Sequence, residues 1–125
     1  MKHFFDVGAN CGNTFALYLN NHPEYDGSHI WCFEPSPRCW PELMTVAEIN
    51  TARYTITLCS FAVSGATGIR VLYEQENTVA DSLLANLMGG SGEFMTRKET
   101  RCSLIVSTVG IADFILRETS YSDDV

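Results

Sequence analysis

Apolar residues in the first half of the chain fall into short runs, each closed by a turn and followed by a segment with helical spacing. His3 to Val7 is apolar nearly throughout, as expected of a parallel strand covered on both faces. Gly8 to Gly12 reads as a tight turn. Asn13 or Thr14 can cap a helix whose apolar stripe is Phe15, Ala16 and Leu19, and Asn20-Asn21-His22-Pro23 ends it. Glu24 to His29 is a polar loop. Ile30-Trp31-Cys32-Phe33 is a second buried strand, closed by Glu34-Pro35. Pro41 lies too deep for a regular helix opened by Ser36-Pro37. The pattern therefore predicts an irregular or 3₁₀ turn over Pro37 to Trp40, then a helix from about Pro41 to Asn50. Leu43, Met44 and Ala47 are its expected sheet-facing residues.

Tyr54 to Phe61, rich in β-branched and aromatic residues, is a third strand. Three strands with helices between them make two βαβ units, so the chain reads as α/β with right-handed crossovers. The pattern then changes. Ala62 to Gly68 is turn-rich, Ile69 to Glu74 alternates like a strand, and Val79 to Ala85 is a short strand or ordered loop. Met88 to Met95 is glycine-rich and expected to be mobile. Cys102 to Val109 is strand-like, Ile111 to Arg117 is helical with Thr108 or Gly110 at its start, and Ser120 to Asp124 is polar. No repeat or linker divides the chain, so residues 1–125 read as a single domain.

Composition narrows the function. With 125 residues, 46% of them hydrophobic, the chain can build one core. Eight basic against fifteen acidic residues give a formal charge of −7. Such a chain carries no electrostatic footprint for nucleic acid or an anionic membrane. The basic cluster Arg97, Lys98 and Arg101 reads as a solvated loop. No apolar run is long enough to span a bilayer, and the N-terminus has no signal-peptide pattern. Cys11, Cys32, Cys39, Cys59 and Cys102 are odd in number, form no Cys-x-x-Cys pair and sit mostly in apolar runs. They read as free thiols in a reducing compartment, most simply the cytoplasm. His3, His22 and His29 have no metal-ligand spacing, so no structural metal is expected.

The chemistry centres on Asp6-Val7-Gly8-Ala9-Asn10-Cys11-Gly12-Asn13-Thr14. Strand, glycine turn and helix in that order form the usual ligand-binding place of an open α/β sheet. Gly8 permits a positive φ or leaves room for a ligand, Gly12 allows close approach at the helix entrance, and the helix start offers N–H groups to an anion. Asp6 sets a negative charge beneath the ligand. A dinucleotide pyrophosphate would be repelled by that charge, and Asn10 stands where its fingerprint has a second glycine. S-adenosylmethionine instead carries a sulfonium and an ammonium, which a carboxylate favours. Glu34, at the end of the second strand, is suited to both ribose hydroxyls, although its gap from the turn exceeds the usual roughly 20 residues.

Taken together, Asp6-Val7-Gly8-Ala9-Asn10-Cys11-Gly12-Asn13, Phe33-Glu34-Pro35-Ser36-Pro37 and Ala62-Val63-Ser64 with Gly68 resemble the successive motifs of FkbM-type methyltransferases. Ser82-Leu83 and the Val106 to Phe114 stretch, with Asp113, fit the same order. The resemblance implies a Rossmann-like class I methyltransferase fold that uses S-adenosylmethionine as cofactor. It assigns Asp6, Gly8, Asn10 and Gly12 to the methionine end, Glu34 to the ribose, and Phe61 and Ala62 to the vicinity of the adenine. It also implies transfer to oxygen on a sugar or another small-molecule acceptor. No catalytic base can be named: His3 and His29 stand near strand starts, at the end of the sheet away from the turn.

Family members continue past a segment like Asp123-Asp124-Val125 into a strand with an acidic, glycine-bearing motif. The present residues are therefore expected to cover only the cofactor-binding half. A non-catalytic fragment that binds the cofactor, or an interaction module, is the alternative reading, and an NAD-linked oxidoreductase a distant third. Without a fourth strand, the first strand is an apolar open edge. It is expected to cause self-association, or to be covered by the chain's own strand from Cys102 to Val109.

Overall fold

The computed structural model describes residues 1–75, 100–120 and 122–125. Three apolar runs become strands β1 (His3–Val7), β2 (His29–Phe33) and β3 (Thr55–Cys59), hydrogen-bonded in that order into a parallel sheet. His3 stands opposite His29, and His29 opposite Thr55, so the strands start level and end level. In β2, Ile30, Trp31, Cys32 and Phe33 are all buried. Alternate side chains of a strand point to opposite faces, so a continuous apolar run needs cover on both.

Both covers are present. Ile30 and Cys32 pack with Ala9, Phe15, Leu19, Leu43 and Tyr54, from the turn and helices that follow β1 and β2. Trp31 and Phe33 pack on the other face against Val109 and Phe114. The Phe114 ring stands edge-on to Phe5, Trp31 and Phe33, at centroid distances of 6.2, 5.2 and 5.1 Å. Each such edge-to-face pair contributes about 0.5–1.5 kcal/mol beyond area burial.

The first helix is shorter than its periodicity suggests. α1 (Asn13–Leu17) gives way to 3₁₀ turns at Leu19–Asn21 and Pro23–Tyr25. Phe15 and Leu19 are buried as expected, but Ala16 faces out because the chain tightens after Leu17. Neither Asn13 nor Thr14 caps this helix; Gly12 occupies the cap position with no side-chain bond. After β2 the order is as read: a 3₁₀ turn at Pro37–Cys39, then α2 (Trp40–Ile49). Leu43 and Ala47 face the sheet, whereas Met44 is 55% exposed. Residue 44 lies 100° round the helix from 43, outside the narrow stripe that the sheet covers.

The turn-rich segment after β3 contains a strand. β4 (Ala62–Ser64), β5 (Gly68–Gln75) and β6 (Thr100–Gly110) form a second sheet in the order β4-β6-β5, with β4 parallel and β5 antiparallel to β6. The Thr108 hydroxyl donates to Ala66 O and the Gly110 amide to Thr67 Oγ1, which pins the tight connection over residues 65–67. α3 (Ile111–Glu118) leaves β6 directly, with Gly110 at its cap position and no side-chain cap. The expected features at Val79 to Ala85 and Met88 to Met95, Ser82, and the basic residues Arg97 and Lys98 lie outside the described residues.

The late strand does not cover β1, because both of its edges pair within the second sheet. The C-terminal residues do so in part: Asp124 bridges Lys2 in parallel, and the His3 amide donates to Asp124 O. The Asp123 carboxylate anchors this contact. It accepts from the Ser120 amide at 2.9 Å, the Met1 ammonium at 3.0 Å and His3 Nε2 at 3.2 Å. These donors, the Ser120 amide foremost, hold it well below the usual carboxylate range. Trp31 donates its indole N–H to His3 Nδ1 at 3.0 Å, so the imidazole proton sits on Nε2, facing Asp123.

Candidate functional site at the carboxyl ends of β1 to β3

The three strand ends are tied by backbone bonds. Gly8 and Ala9 donate to Phe33 O at 2.9 and 3.0 Å, and Glu34 donates to Cys59 O at 3.0 Å. Asp6, the Gly8–Gly12 turn, Glu34 and the residues after Cys59 therefore share one edge of the parallel sheet. His3 and His29 lie at the opposite edge, as their places at the strand starts require.

The turn is built from alternating left-handed residues: Gly8 at φ +76°, Asn10 at +51° and Gly12 at +89°. The two glycines have different reasons. A Cβ on Gly8 would meet nothing within 4 Å, so its φ alone demands glycine. A Cβ on Gly12 would lie 2.8 Å from Val46 Cγ1 of α2, so glycine there also lets the turn and α2 touch. Asn tolerates the left-handed region better than most residues, because its short amide bonds locally. Here Asn10 Oδ1 accepts the Cys11 amide at 2.8 Å.

Every amide of the turn is engaged within the protein. Gly8 and Ala9 bond Phe33 O, Asn10 bonds Glu34 Oε1 at 2.8 Å, Cys11 bonds Asn10 Oδ1 and Gly12 bonds Ala9 O at 2.9 Å. A phosphate-binding glycine loop works by presenting free N–H groups to the anion; this turn has none to present from Gly8 to Gly12. The helix behind it has only five residues, too short to build the macrodipole of a longer helix.

The turn does enclose a carboxylate. Asp6 is 8% exposed. Its Oδ1 accepts the Thr14 hydroxyl at 3.2 Å, whereas Oδ2 is buried with no hydrogen-bond partner among the described residues. Burial raises the Asp6 carboxyl above its ordinary range, and the Thr14 hydroxyl opposes that rise. An enclosed carboxylate oxygen without a donor is costly, so a donor or cation brought to it would be strongly favoured.

Glu34 is 5% exposed. One oxygen accepts the Asn10 amide at 2.8 Å and the other the Ser36 amide at 2.9 Å. Trp40, which the sequence reading left in the 3₁₀ turn, donates its indole N–H to Glu34 O at 2.8 Å. The residue expected to meet a ribose thus also braces the turn. Phe61, just past β3, is 39% exposed, while Ala62 is buried with Leu72 and Val106. Phe61 thus keeps part of its ring exposed past the end of β3, whereas Ala62 lies in the core of the second sheet.

Asp6, Gly8, Asn10, Gly12 and Glu34 are therefore joined through named bonds and shared backbone; Phe61 follows the end of β3, and Ala62 lies in β4 of the second sheet. Thr14, read in the sequence as a candidate helix cap, instead bonds Asp6, and Trp40 and Val46 are participants that the sequence did not point to. A hydroxyl eight residues after a strand-end Asp was the one available signal. Cys11, in the turn, has its thiol pushed up by burial and by Glu42, and burial pushes Cys32 up to about 12; neither is a ready thiolate nucleophile.

Among the described residues, no group of three or more His, Cys, Asp or Glu could hold a metal ion, and no helix is long and apolar enough to cross a membrane. Open hollows lined by described residues and lying away from the turn include one of about 600 Å³ beside the start of β1, around Lys2 and Tyr25, and one of about 580 Å³ around Met44 and Ile56. Comparisons with protein-family models, with curated proteins and with solved structures find no match to this chain.

Proposed function

We propose that this α/β chain is an S-adenosylmethionine-binding domain of Rossmann-like, class I methyltransferase type, similar to the FkbM family, acting on oxygen of a sugar or other small-molecule acceptor. The observation that carries the reading is the buried Asp6 carboxylate, with Oδ2 unpartnered among the described residues, beside a turn whose amides are all engaged. A site of this kind repels phosphate, which finds a negative charge and no free N–H donors. It suits a ligand that brings its own cation and donors, as the ammonium of S-adenosylmethionine does.

In this reading Asp6 takes the ammonium, Gly8 provides clearance, and Asn10 and Gly12 shape the turn. Glu34, at the end of β2, meets the ribose hydroxyls, and Phe61 and Ala62, after β3, lie toward the adenine. Because Oδ2 is buried, the ammonium reaches it only if the groups around it yield. The reaction is displacement of the sulfonium methyl by the acceptor oxygen, with the chain contributing positioning. A second reading, cofactor binding without transfer, draws on the imidazoles: those of His3 and His29 lie at the far edge of the sheet, away from any acceptor seated at the turn.

Calorimetric titration with S-adenosylmethionine, S-adenosylhomocysteine and NAD tests the proposal. The adenosyl ligands should bind and NAD should not, and Asp6→Ala and Glu34→Ala should each weaken adenosyl binding. Binding of NAD alone would overturn the cofactor assignment. Adenosyl binding with no methyl transfer to any of a panel of sugar acceptors would favour the second reading.

A further inference from the structure

We propose that Thr14 is a positioning residue of this site: its hydroxyl clamps Asp6 Oδ1 and leaves Oδ2 directed to the ammonium of the cofactor. The inference rests on the cofactor reading above and adds to it a residue and a role.

Thr14 stands in the first turn of α1, where a threonine would ordinarily bond its own helix. It does not. The helix has no side-chain cap, and the Thr14 hydroxyl instead crosses to β1, 3.2 Å from Asp6 Oδ1. One bond therefore joins the strand before the glycine turn to the helix after it. Its effect on the carboxylate is asymmetric. Oδ1 is satisfied by a neutral donor, while Oδ2, which is buried, has no partner among the described residues.

A carboxylate free to rotate would share the single donor between its oxygens; with Oδ1 held, the unmet demand is concentrated on Oδ2. The hydroxyl also favours the ionised form of a carboxyl that burial disfavours. An ammonium ligand needs that ionised form, so Thr14 would act on binding twice, through orientation and through charge.

The experiment compares wild type with Thr14→Val, which keeps the shape and loses the donor, and Thr14→Ser, which keeps the donor. Calorimetric titrations across pH 5 to 8 use S-adenosylhomocysteine and 5′-methylthioadenosine. The second probe has the nucleoside but no amino acid end. Thr14→Val should weaken S-adenosylhomocysteine roughly tenfold, as expected for one charge-assisted bond. It should also move the acid limb of its pH profile to higher pH, leave 5′-methylthioadenosine unchanged, and be rescued by Thr14→Ser.

If wild type binds both probes and Thr14→Val shows the same affinity and pH profile, Thr14 is not a positioning residue, while the cofactor reading stands. Equal weakening of both probes assigns Thr14 a structural role only and likewise overturns the inference. If wild type binds neither probe, the cofactor reading itself fails. Should Thr14→Val not fold, the Asp6 carboxyl titration followed by NMR in wild type and Thr14→Ser decides: S-adenosylhomocysteine should shift it to lower pH in both, and no shift in either overturns the proposal.

Discussion

The Asn10 amide donates to Glu34 Oε1 at 2.8 Å, across 24 positions of sequence, and so joins the turn after β1 to the end of β2. Asn10 holds a left-handed conformation at φ +51°, and this bond, with the Asn10 side chain on the Cys11 amide, keeps it there. Replacing Glu34 by Ala leaves the Asn10 and Ser36 amides without their acceptor. The expected loss is on the order of 2–3 kcal/mol, read as a lower midpoint in urea denaturation. Glu34→Gln should lose less, since it keeps one acceptor.

Gly8 and Gly12 should respond differently to alanine. Gly8→Ala meets open space and bears only left-handed strain, about 1–2 kcal/mol. Gly12→Ala adds a Cβ 2.8 Å from Val46 Cγ1, for a total of about 2–4 kcal/mol. In a double-mutant cycle Val46→Ala should recover part of the second loss and none of the first.

Asp6 makes the neutral-pH fold less stable than it would otherwise be. Its folded carboxyl titrates above the ordinary range. The protonated form is therefore favoured by folding, and that contribution is complete below the unfolded carboxylate range and lost as pH rises through the folded one. Asp6→Asn should accordingly raise the urea midpoint at pH 7 and give a smaller gain at pH 4. Equal gains at both values would show that charge is not the cause.

Phe114 closes the second face of the sheet against Phe5, Trp31 and Phe33. Phe114→Ala should cost about 3–5 kcal/mol and shift Trp31 emission to the red as water reaches it, a change best read in a Trp40→Phe background.

Neighbouring positions on α2 test which stripe the sheet covers. Leu43 is fully buried and Met44 is 55% exposed. Leu43→Ala should cost about 2–5 kcal/mol, while Met44→Ser should stay within about 0.5 kcal/mol of wild type.

The parallel core was legible in the sequence because it rests on local signals. Apolar runs at His3 to Val7 and Ile30 to Phe33, and the β-branched and aromatic stretch Tyr54 to Phe61, broken by glycine, proline and polar turns, read as strands. The special backbone of the turn was legible at Gly8 and Gly12 for the same reason: few other residues take those angles. Pro37 and Pro41 likewise forced a 3₁₀ turn before α2.

Contacts between distant segments decided the rest. Nothing near residue 12 in sequence says that Val46 will touch it. Asp123 could be seen to pair with His3, and β6 to pair with β4 and β5 and not with β1, only once the sheets were assembled. Glu34 read as a carboxylate suited to ribose hydroxyls; that its oxygens also accept the Asn10 and Ser36 amides is set by where β2 ends relative to the turn. Side-chain chemistry is written in the sequence; which donors face which acceptors, and therefore which atom of Asp6 is left without one, is a property of the packed chain alone.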